Sequence, residues 1–364
     1  MKAFVIDRYG KRVIGRIADM PEPTLAADDV LVQVHAASVN ALDVKIRNGE
    51  FRLILPYTLP LILGNDVAGT VLEVGKNVTR FKPGDDVFAR VHQTRIGTFA
   101  ERIAINQTCV ANKPVNLTMV QAASLPLVAL TAWQVLVETA KVTPGQKVLI
   151  HAGSGGVGTV AIQLAKHLGA YVAATTSTAN VEWVKALGTD QVIDYTTQHF
   201  VEQLHDYDVV LNSLGPDVLG KSVKVLKRGG RLISISGPPT AEFGARQGLG
   251  WPLIQVMRAL SYRIRSQVRQ RGMSYDFVFM RASGGQLGEI ASLIEASVIT
   301  PVVEKVYAFE ATADALAHVQ DGRAKGKWSS NCSAHSTVWI RLRMNEVSRS
   351  QRFAYGPIRR KRLG

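Results

Sequence analysis

Residues 145–166 read GQKVLIHAGSGGVGTVAIQLAK. KVLIHA has the apolar, β-branched character of a strand, and VGTVAIQLAKHLG repeats its apolar residues at helical spacing. Between them stand Gly153-Ser154-Gly155-Gly156-Val157-Gly158, a G-x-G-x-x-G turn. Glycines at this spacing permit a tight turn, let the backbone approach a pyrophosphate, and allow close helix–strand packing. The helix behind them offers unpaired N–H groups and the positive end of its dipole to the phosphates. The motif is weak alone and informative here because it joins a strand to a helix. Beyond it come AYVAATT, NVEWVKALG, DQVIDY, DVVLNS and RLISISG, a strand, a helix and three further strands. Strands alternating with helices imply βαβ units, so the expected class is α/β with a doubly wound parallel sheet and a dinucleotide at its glycine loop.

The end of the second strand selects the dinucleotide. NAD binders usually place an acid there, ~20 residues past the glycines, on the ribose 2′-OH. Residues 175–180 read TTSTAN, and no acid occurs before Glu182. Hydroxyl groups can donate to a 2′-phosphate that an acid would repel. NADPH is therefore expected, although the segment contains no Lys or Arg.

Outward from this core, residues 1–120 read mainly as β: VLVQVHAASV, VAGTVLEVG and the turn FKPGDDVFA. AASLPLVALTAWQVLVETA reads as helix with an early proline. The 364 residues suggest two domains, with 46% hydrophobic and 20% charged residues giving material for a sizeable core. No internal repeat is visible. Cys109 and Cys332 make neither a disulfide framework nor a Cys-rich metal site, which fits a reducing compartment with Cys109 as a buried structural thiol. MKAFVIDRYG starts as a strand and lacks a signal core. The apolar stretch 51–64 contains Arg52, Pro56 and Pro60, too interrupted for a membrane helix. A cytoplasmic protein is expected.

The formal net charge is +14, and residues 328–364, with eight Lys/Arg and one Glu, supply half of it. A basic balance raises nucleic acid or an anionic membrane surface as alternative partners. Residues 251–271 suggest an amphipathic helix with Pro252 in its first turn. Leu253, Met257, Leu260, Ile264 and Val268 are expected on one face, and Arg258, Arg265 and Arg269 on another. Such a helix either packs on its own protein, the reading preferred here, or lies on a membrane surface.

Beyond the glycine motif, ASVNALDVKIRNG (37–49), GNDVAGTVLEVG (64–75) and FKPGDDVFA (81–89) together resemble the medium-chain dehydrogenase/reductase superfamily, in its zinc-independent quinone oxidoreductase and alkenal (enone) reductase branch. The resemblance covers about residues 1–327. It implies a GroES-like β-rich catalytic domain (1–122), a Rossmann NADP-binding domain (123–260), a return to the catalytic domain (261–327) and an atypical basic tail (328–364). It implies that Thr131 lies near the nicotinamide ribose, that Ser154, Gly155, Gly156, Val157 and Gly158 hold the pyrophosphate, and that Ser177, Tyr195 and Arg323 surround the 2′-phosphate. Asn212 and Leu214 would line the ribose and nicotinamide path, and Phe279 and Arg281 the nicotinamide end. Some relatives carry Lys at the position of Asn180, a departure that weakens the phosphate clamp. A homodimer is left open.

Zinc alcohol dehydrogenases of the superfamily hold catalytic metal through Cys, His and Cys with a nearby Glu. The matching positions here are Asn40, Asn65 and Leu127, with Asp66 at the acid, and the four-cysteine structural lobe is missing. Carboxamide and alkyl groups do not replace thiolate and imidazole, so no zinc is expected. Hydride addition to a plain ketone builds a localised alkoxide that a Lewis acid stabilises, whereas addition to an enone builds a delocalised enolate that hydrogen-bond donors suffice to stabilise. The expected substrates are quinones or α,β-unsaturated carbonyls. Asn40 is the candidate donor to the substrate carbonyl, with Asp43, Arg47 and Asn65 shaping the site; the plainer alternative is that Asn40 and Asp43 only cap a turn. His92, His151 and His167 are expected to be structural or solvent-facing.

Relatives close the chain after GRAKGK with an apolar strand of the VVVKV kind. Here Lys327 is followed by Trp328-Ser329-Ser330-Asn331-Cys332, and STVWI comes later. The change fits a shifted reading frame, a replaced terminus or a regulatory tail. Without the strand a sheet edge stays unpaired, a deficit that pairing by residues 337–340 would partly repair. Residues beyond about 341 are expected to be mobile.

Overall fold

The computed structural model describes residues 1–324 and 338–341. A parallel sheet runs in the order β11-β10-β9-β12-β13-β14. Its strands are β9 (Lys147–Ile150), β10 (Tyr171–Thr176), β11 (Gln191–Asp194), β12 (Tyr207–Asn212), β13 (Leu226–Ser234) and β14 (Ser274–Phe277). Written from β9 as the first strand this is 3-2-1-4-5-6, the doubly wound order that opens a crevice beside the first strand's carboxyl end. Val148, Leu149 and Ile150 are fully buried, as expected of a strand covered on both faces.

The second sheet is antiparallel but for one pair, in the order β15-β16-β3-β5-β6-β8 with β7 also on β3. Its strands are β3 (Asp29–Val39), β5 (Asp66–Val74), β6 (Asp86–Arg90), β7 (Arg102–Asn106), β8 (Val110–Asn112), β15 (Lys305–Ala308) and β16 (Val338–Arg341). A small third sheet joins β1 (Lys2–Ile6), β2 (Arg16–Asp19) and β4 (Leu61–Ile62). The GroES-like plus Rossmann architecture read from the sequence is the one found.

Helices α1 (Ala41–Asn48), α2 (Met119–Ala123) and α3 (Pro126–Trp133) precede β9, and a π-helical turn, Gln134–Thr139, follows α3. Between the parallel strands run α4 (Gly156–His167), α5 (Val181–Ala186), α6 (Phe200–Gln203), α7 (Pro216–Ser222), α8 (Ala241–Arg246) and α9 (Trp251–Gln270). α10 (Gly284–Glu295) and α11 (Thr312–Ala324) follow.

Three sequence expectations change. The boundary at 260 falls inside α9, and β14 beyond it pairs in parallel with β13, so the parallel sheet keeps its chain to Phe277. Leu260 leaves the packed face of α9: Met257, Ile264 and Val268 are buried, but Leu260 is 60% exposed. The apolar arc of the helix is wider than its contact with the sheet, and periodicity alone does not say which part packs. At the chain's end β16 takes the place between β15 and β3, with Val338 opposite Val39 and Ile340 opposite Ala37, one residue later than the 337–340 expected. The remainder of the 328–364 tail lies outside the described residues.

Candidate active site

The glycine loop starts from strain. After β9, Ala152 takes φ 51, a left-handed conformation uncommon outside glycine. A Cβ on Gly153 would meet Ala174 Cβ at 2.8 Å, and one on Gly158 would meet the Ala152 carbonyl oxygen at 2.3 Å. Only hydrogen fits at either place, and this lets α4 begin tight against β9. Gly155 caps α4 and no side chain does, so the helix meets the loop through backbone alone. Val157 stands in its first turn.

Ser154, 3% exposed, accepts from Asn180 Nδ2 at 3.4 Å, and the same nitrogen donates to Ser177 Oγ at 3.0 Å. Asn180 Oδ1 accepts from Trp183 Nε1 at 3.0 Å. Asn180 thus ties the glycine loop to the end of β10. Sequence reading missed Asp194, an acid brought close by the parallel register of Thr176 with Asp194. Its Oδ2 accepts from Thr178 Oγ1 at 2.6 Å and its Oδ1 from Thr196 N and Oγ1, so both oxygens are engaged within the loop. Tyr195 follows directly, half-buried, its N–H donating to Thr176 O. Arg323 lies on the backbone of α11, and its side chain is outside the described residues.

Asn212 ends β12 fully buried; its Nδ2 donates to Leu214 O at 2.9 Å and its Oδ1 has no partner among the described residues. A buried acceptor left open and a glycine cradle that excludes side chains both fit a bound dinucleotide. Thr131 on α3 returns its hydroxyl to Leu127 O. Phe279 stacks, tilted, on Phe51 and on Phe243 of α8, each 5.8 Å away, and so joins both parts of the fold. Arg281 is committed elsewhere: its guanidinium grips Glu138 of the π-helical turn at 2.6 and 2.8 Å, and Gln134 binds its backbone N–H and C=O. A nicotinamide contact through that guanidinium would require the ion pair to exchange.

The second half of the site is a buried polar cluster. Asn40, at the end of β3, caps α1; Asp43 Oδ2 accepts its backbone N–H at 2.6 Å, while Asp43 Oδ1 accepts from Asn65 Nδ2 at 2.7 Å. Asn40 Nδ2 donates to Asp66 Oδ2 at 2.9 Å and to Ser38 Oγ at 3.1 Å, and Ser38 Oγ donates to Asp66 Oδ2. Asn40, Asp43 and Asn65 are thus brought together, with Asp66 and Ser38 joining them. Arg90, 1% exposed, lends its positive charge to both acids. Sequence reading overlooked it because nothing in FARVHQ marks it as buried. Burial pushes Asp43 up to about 6 and Asp66 up to about 7. Among the described residues, Asn65 Oδ1, Asp66 Oδ1 and Arg90 Nε find no partner. Arg47 instead donates to Asn48 and Gln320 on α11.

These donors do not fit a zinc ion. The amide nitrogens of Asn40 and Asn65 present hydrogens rather than lone pairs, and each Asp is engaged by them. Among the described residues no group of three His, Cys, Asp or Glu could hold a metal. His151 is buried between Thr175 and Ser222, and burial lowers it to about 3, so it is a neutral structural residue.

The chain is similar to known proteins over most of its length. Residues 26–115 match the family described as alcohol dehydrogenase GroES-like domain, and residues 187–328 the one described as zinc-binding dehydrogenase. The chain is 37% identical over 350 residues to the mouse (Mus musculus) NAD(P)H oxidoreductase RTN4IP1, mitochondrial, covering 90% of this chain and 88% of that one. It is 33% identical over 338 residues to the NADPH-dependent alkenal/one oxidoreductase, chloroplastic, of Arabidopsis thaliana, covering 90% and 78%. The quinone oxidoreductase structure from Coxiella burnetii superposes with a TM-score of 0.79 at 28% identity, covering 94% of this chain and 99% of that one. The chain belongs to the medium-chain dehydrogenase/reductase superfamily, in its quinone oxidoreductase and enone reductase branch.

Proposed function

We propose that this protein is an NADPH-dependent oxidoreductase that reduces quinones or the C=C bond of α,β-unsaturated carbonyls without zinc. The observation that carries the reading is the buried amide–carboxylate network of Asn40, Asp43, Asn65 and Asp66 at the positions that resemblance matches to a zinc site. Ser154, Gly155, Gly156, Val157 and Gly158 would hold the pyrophosphate at the start of α4, Ser177, Tyr195 and Arg323 the 2′-phosphate, and Thr131, Asn212, Leu214 and Phe279 the nicotinamide side. When bound, the cofactor supplies hydride.

Both N–H bonds of Asn40 are used inside the cluster, so it serves as a donor by releasing the longer one, to Ser38, while Asp66 keeps the amide in place. That donor stabilises the enolate oxygen as charge develops. The proton that completes reduction comes from solvent. Substrate chemistry follows the relatives named for quinones and alkenals, and a small-molecule substrate needs no macromolecular partner. Cys109, a free buried thiol, fits any reducing compartment, cytoplasmic or organellar; among the described residues no helix is long and apolar enough to cross a membrane. The test is a panel of quinones, enones, ketones and alcohols with NADPH and NADH, read by loss of nicotinamide absorbance. Turnover of saturated ketones alone, or equal use of NADH, would overturn the reading.

A further inference from the structure

The carboxyl ends of three parallel strands are laced together. Ile235 N–H donates to Asn212 O at 3.0 Å, and Val278 N–H to Ser234 O at 2.9 Å, so β12, β13 and β14 finish side by side. In a doubly wound sheet this is the rim of the ligand crevice. Asn212 stands on that rim with its open Oδ1, and the chain leaving β14 continues as Phe279, Met280 and Arg281 in irregular backbone.

Gln134 holds this stretch. It lies where α3 passes into the π-helical turn and is 2% exposed. Its Oε1 accepts the Arg281 N–H at 3.0 Å and its Nε2 donates to Arg281 O at 2.9 Å, the two bonds a neighbouring strand would make. Nε2 also donates to Gln286 Oε1 at 2.8 Å. Gln286 stands in the first turn of α10, where a Cβ on Gly284 would run into the Val110 carbonyl of β8. One amide therefore joins α3, which carries Thr131, to the Phe279 stretch and to a helix seated on the antiparallel sheet. Phe279, two residues before the clamp, touches Phe51 and Phe243.

We propose that Gln134 is a positioning residue for hydride transfer: it fixes residues 279–281 as one wall of the nicotinamide site and keeps that wall in register with Thr131. The inference rests on the cofactor reading above. Burying an amide costs desolvation that an apolar side chain of like size avoids, and here both polar ends of the amide are spent on the rim. π-helical turns occur mostly at functional sites, and this one sets Gln134 on the Arg281 backbone and Glu138 on its guanidinium. The Glu138 tie is the weaker, because the Arg281 side chain is 61% exposed and water screens the pair. Hydride transfer needs its two carbons close and aligned, and a misplacement of about 1 Å can slow such a step about 100-fold.

Gln134→Met keeps the volume and removes all three bonds. Calorimetric titration with NADPH and with adenosine 2′,5′-bisphosphate, which carries phosphates but no nicotinamide, reads the consequence. NADPH should bind about tenfold more weakly to Gln134→Met, while the bisphosphate changes by less than about twofold. With the best quinone or enone, kcat should fall at least about tenfold, and KM for that acceptor should change less. Glu138→Gln should have a smaller effect on NADPH, because the buried amide still holds the backbone. If Gln134→Met does not fold, Gln134→Asn, whose amide is too short to bridge both groups, is read in the same way. Equal weakening of the two ligands, or no weakening of NADPH, overturns the inference and leaves Gln134 a packing residue. So does an equal loss in Glu138→Gln. A parent that binds NADPH yet reduces no quinone or enone sinks the substrate reading alone, since the two affinities still decide the role of Gln134.

Discussion

Asn40 Nδ2 lies 2.9 Å from Asp66 Oδ2, and this contact ties the start of α1 to the start of β5. The amide is thereby oriented before any substrate arrives. Asn40→Ala should lower kcat roughly 100-fold with little change in KM for NADPH, as for loss of one donor to a developing oxyanion. Asp66→Ala should also lower kcat, by a smaller factor, because the donor itself remains and only its anchor is lost. A kcat for Asn40→Ala within twofold of the parent would leave Asn40 as a helix cap alone.

The same cluster sets a pH dependence. Asp43 at about 6 and Asp66 at about 7 stand above their ordinary value of 3.8 because burial disfavours the charged form. The folded protein therefore keeps protons that the unfolded chain releases. Stability from these groups is full below pH about 4 and is lost as pH rises to about 7. Surface acids lowered by their partners, such as Glu138 beside Arg281, work in the opposite direction, so the comparison must be made between variants. Melting curves of Asp66→Asn across pH 4 to 7 should fall less steeply than those of the parent. Parallel curves would count against a buried proton.

At the other end of the site, Ser177→Asp would put a carboxylate beside Asn180, where a 2′-phosphate is proposed. Preference for NADPH over NADH, measured as a ratio of kcat/KM, should fall at least about tenfold. An unchanged ratio would remove residues 175–180 from cofactor selection.

Exhaustive chelation should leave turnover unchanged, and metal analysis should find no stoichiometric zinc. Loss of activity restored by zinc alone would reinstate a metal that the hydrogen-bond pattern of Asn40 and Asn65 opposes.

Truncation now has two distinct places. Removing everything after Lys327 takes away β16 and leaves β3 and β15 without their shared neighbour. The melting temperature should drop by about 5 °C or more. Ending the chain after Arg341 should cost little and leave NADPH turnover intact. Equal stability of the two products would show that the pairing of β16 contributes nothing.

The glycine loop was legible because its signal is local: a strand, six residues and a helix, all within 145–166. The meeting of Asn40, Asp43 and Asn65 was readable only through resemblance, since nothing in their spacing announces that β3, α1 and β5 converge. Other features were out of reach for a physical reason. Gln134 and Arg281 bond across 147 residues, and only the fold brings them together. Arg90 reads as a strand-end charge until its burial is known. Leu260 fits the helical period yet points to solvent, because period locates an apolar arc without saying how much of it meets a neighbour.

β16 has a consequence for the order in which the molecule can be made. The parallel sheet is drawn from one continuous stretch, 147–277, and can assemble once that stretch has emerged from the ribosome. The antiparallel sheet cannot be completed then, because β3 waits for a partner some three hundred residues away in the chain. Long-range pairing of that kind is slow and leaves an edge open while synthesis proceeds. The nascent protein therefore carries a finished nucleotide half beside an unfinished catalytic half, and a chaperone has its occasion to act at the uncovered edge of β3.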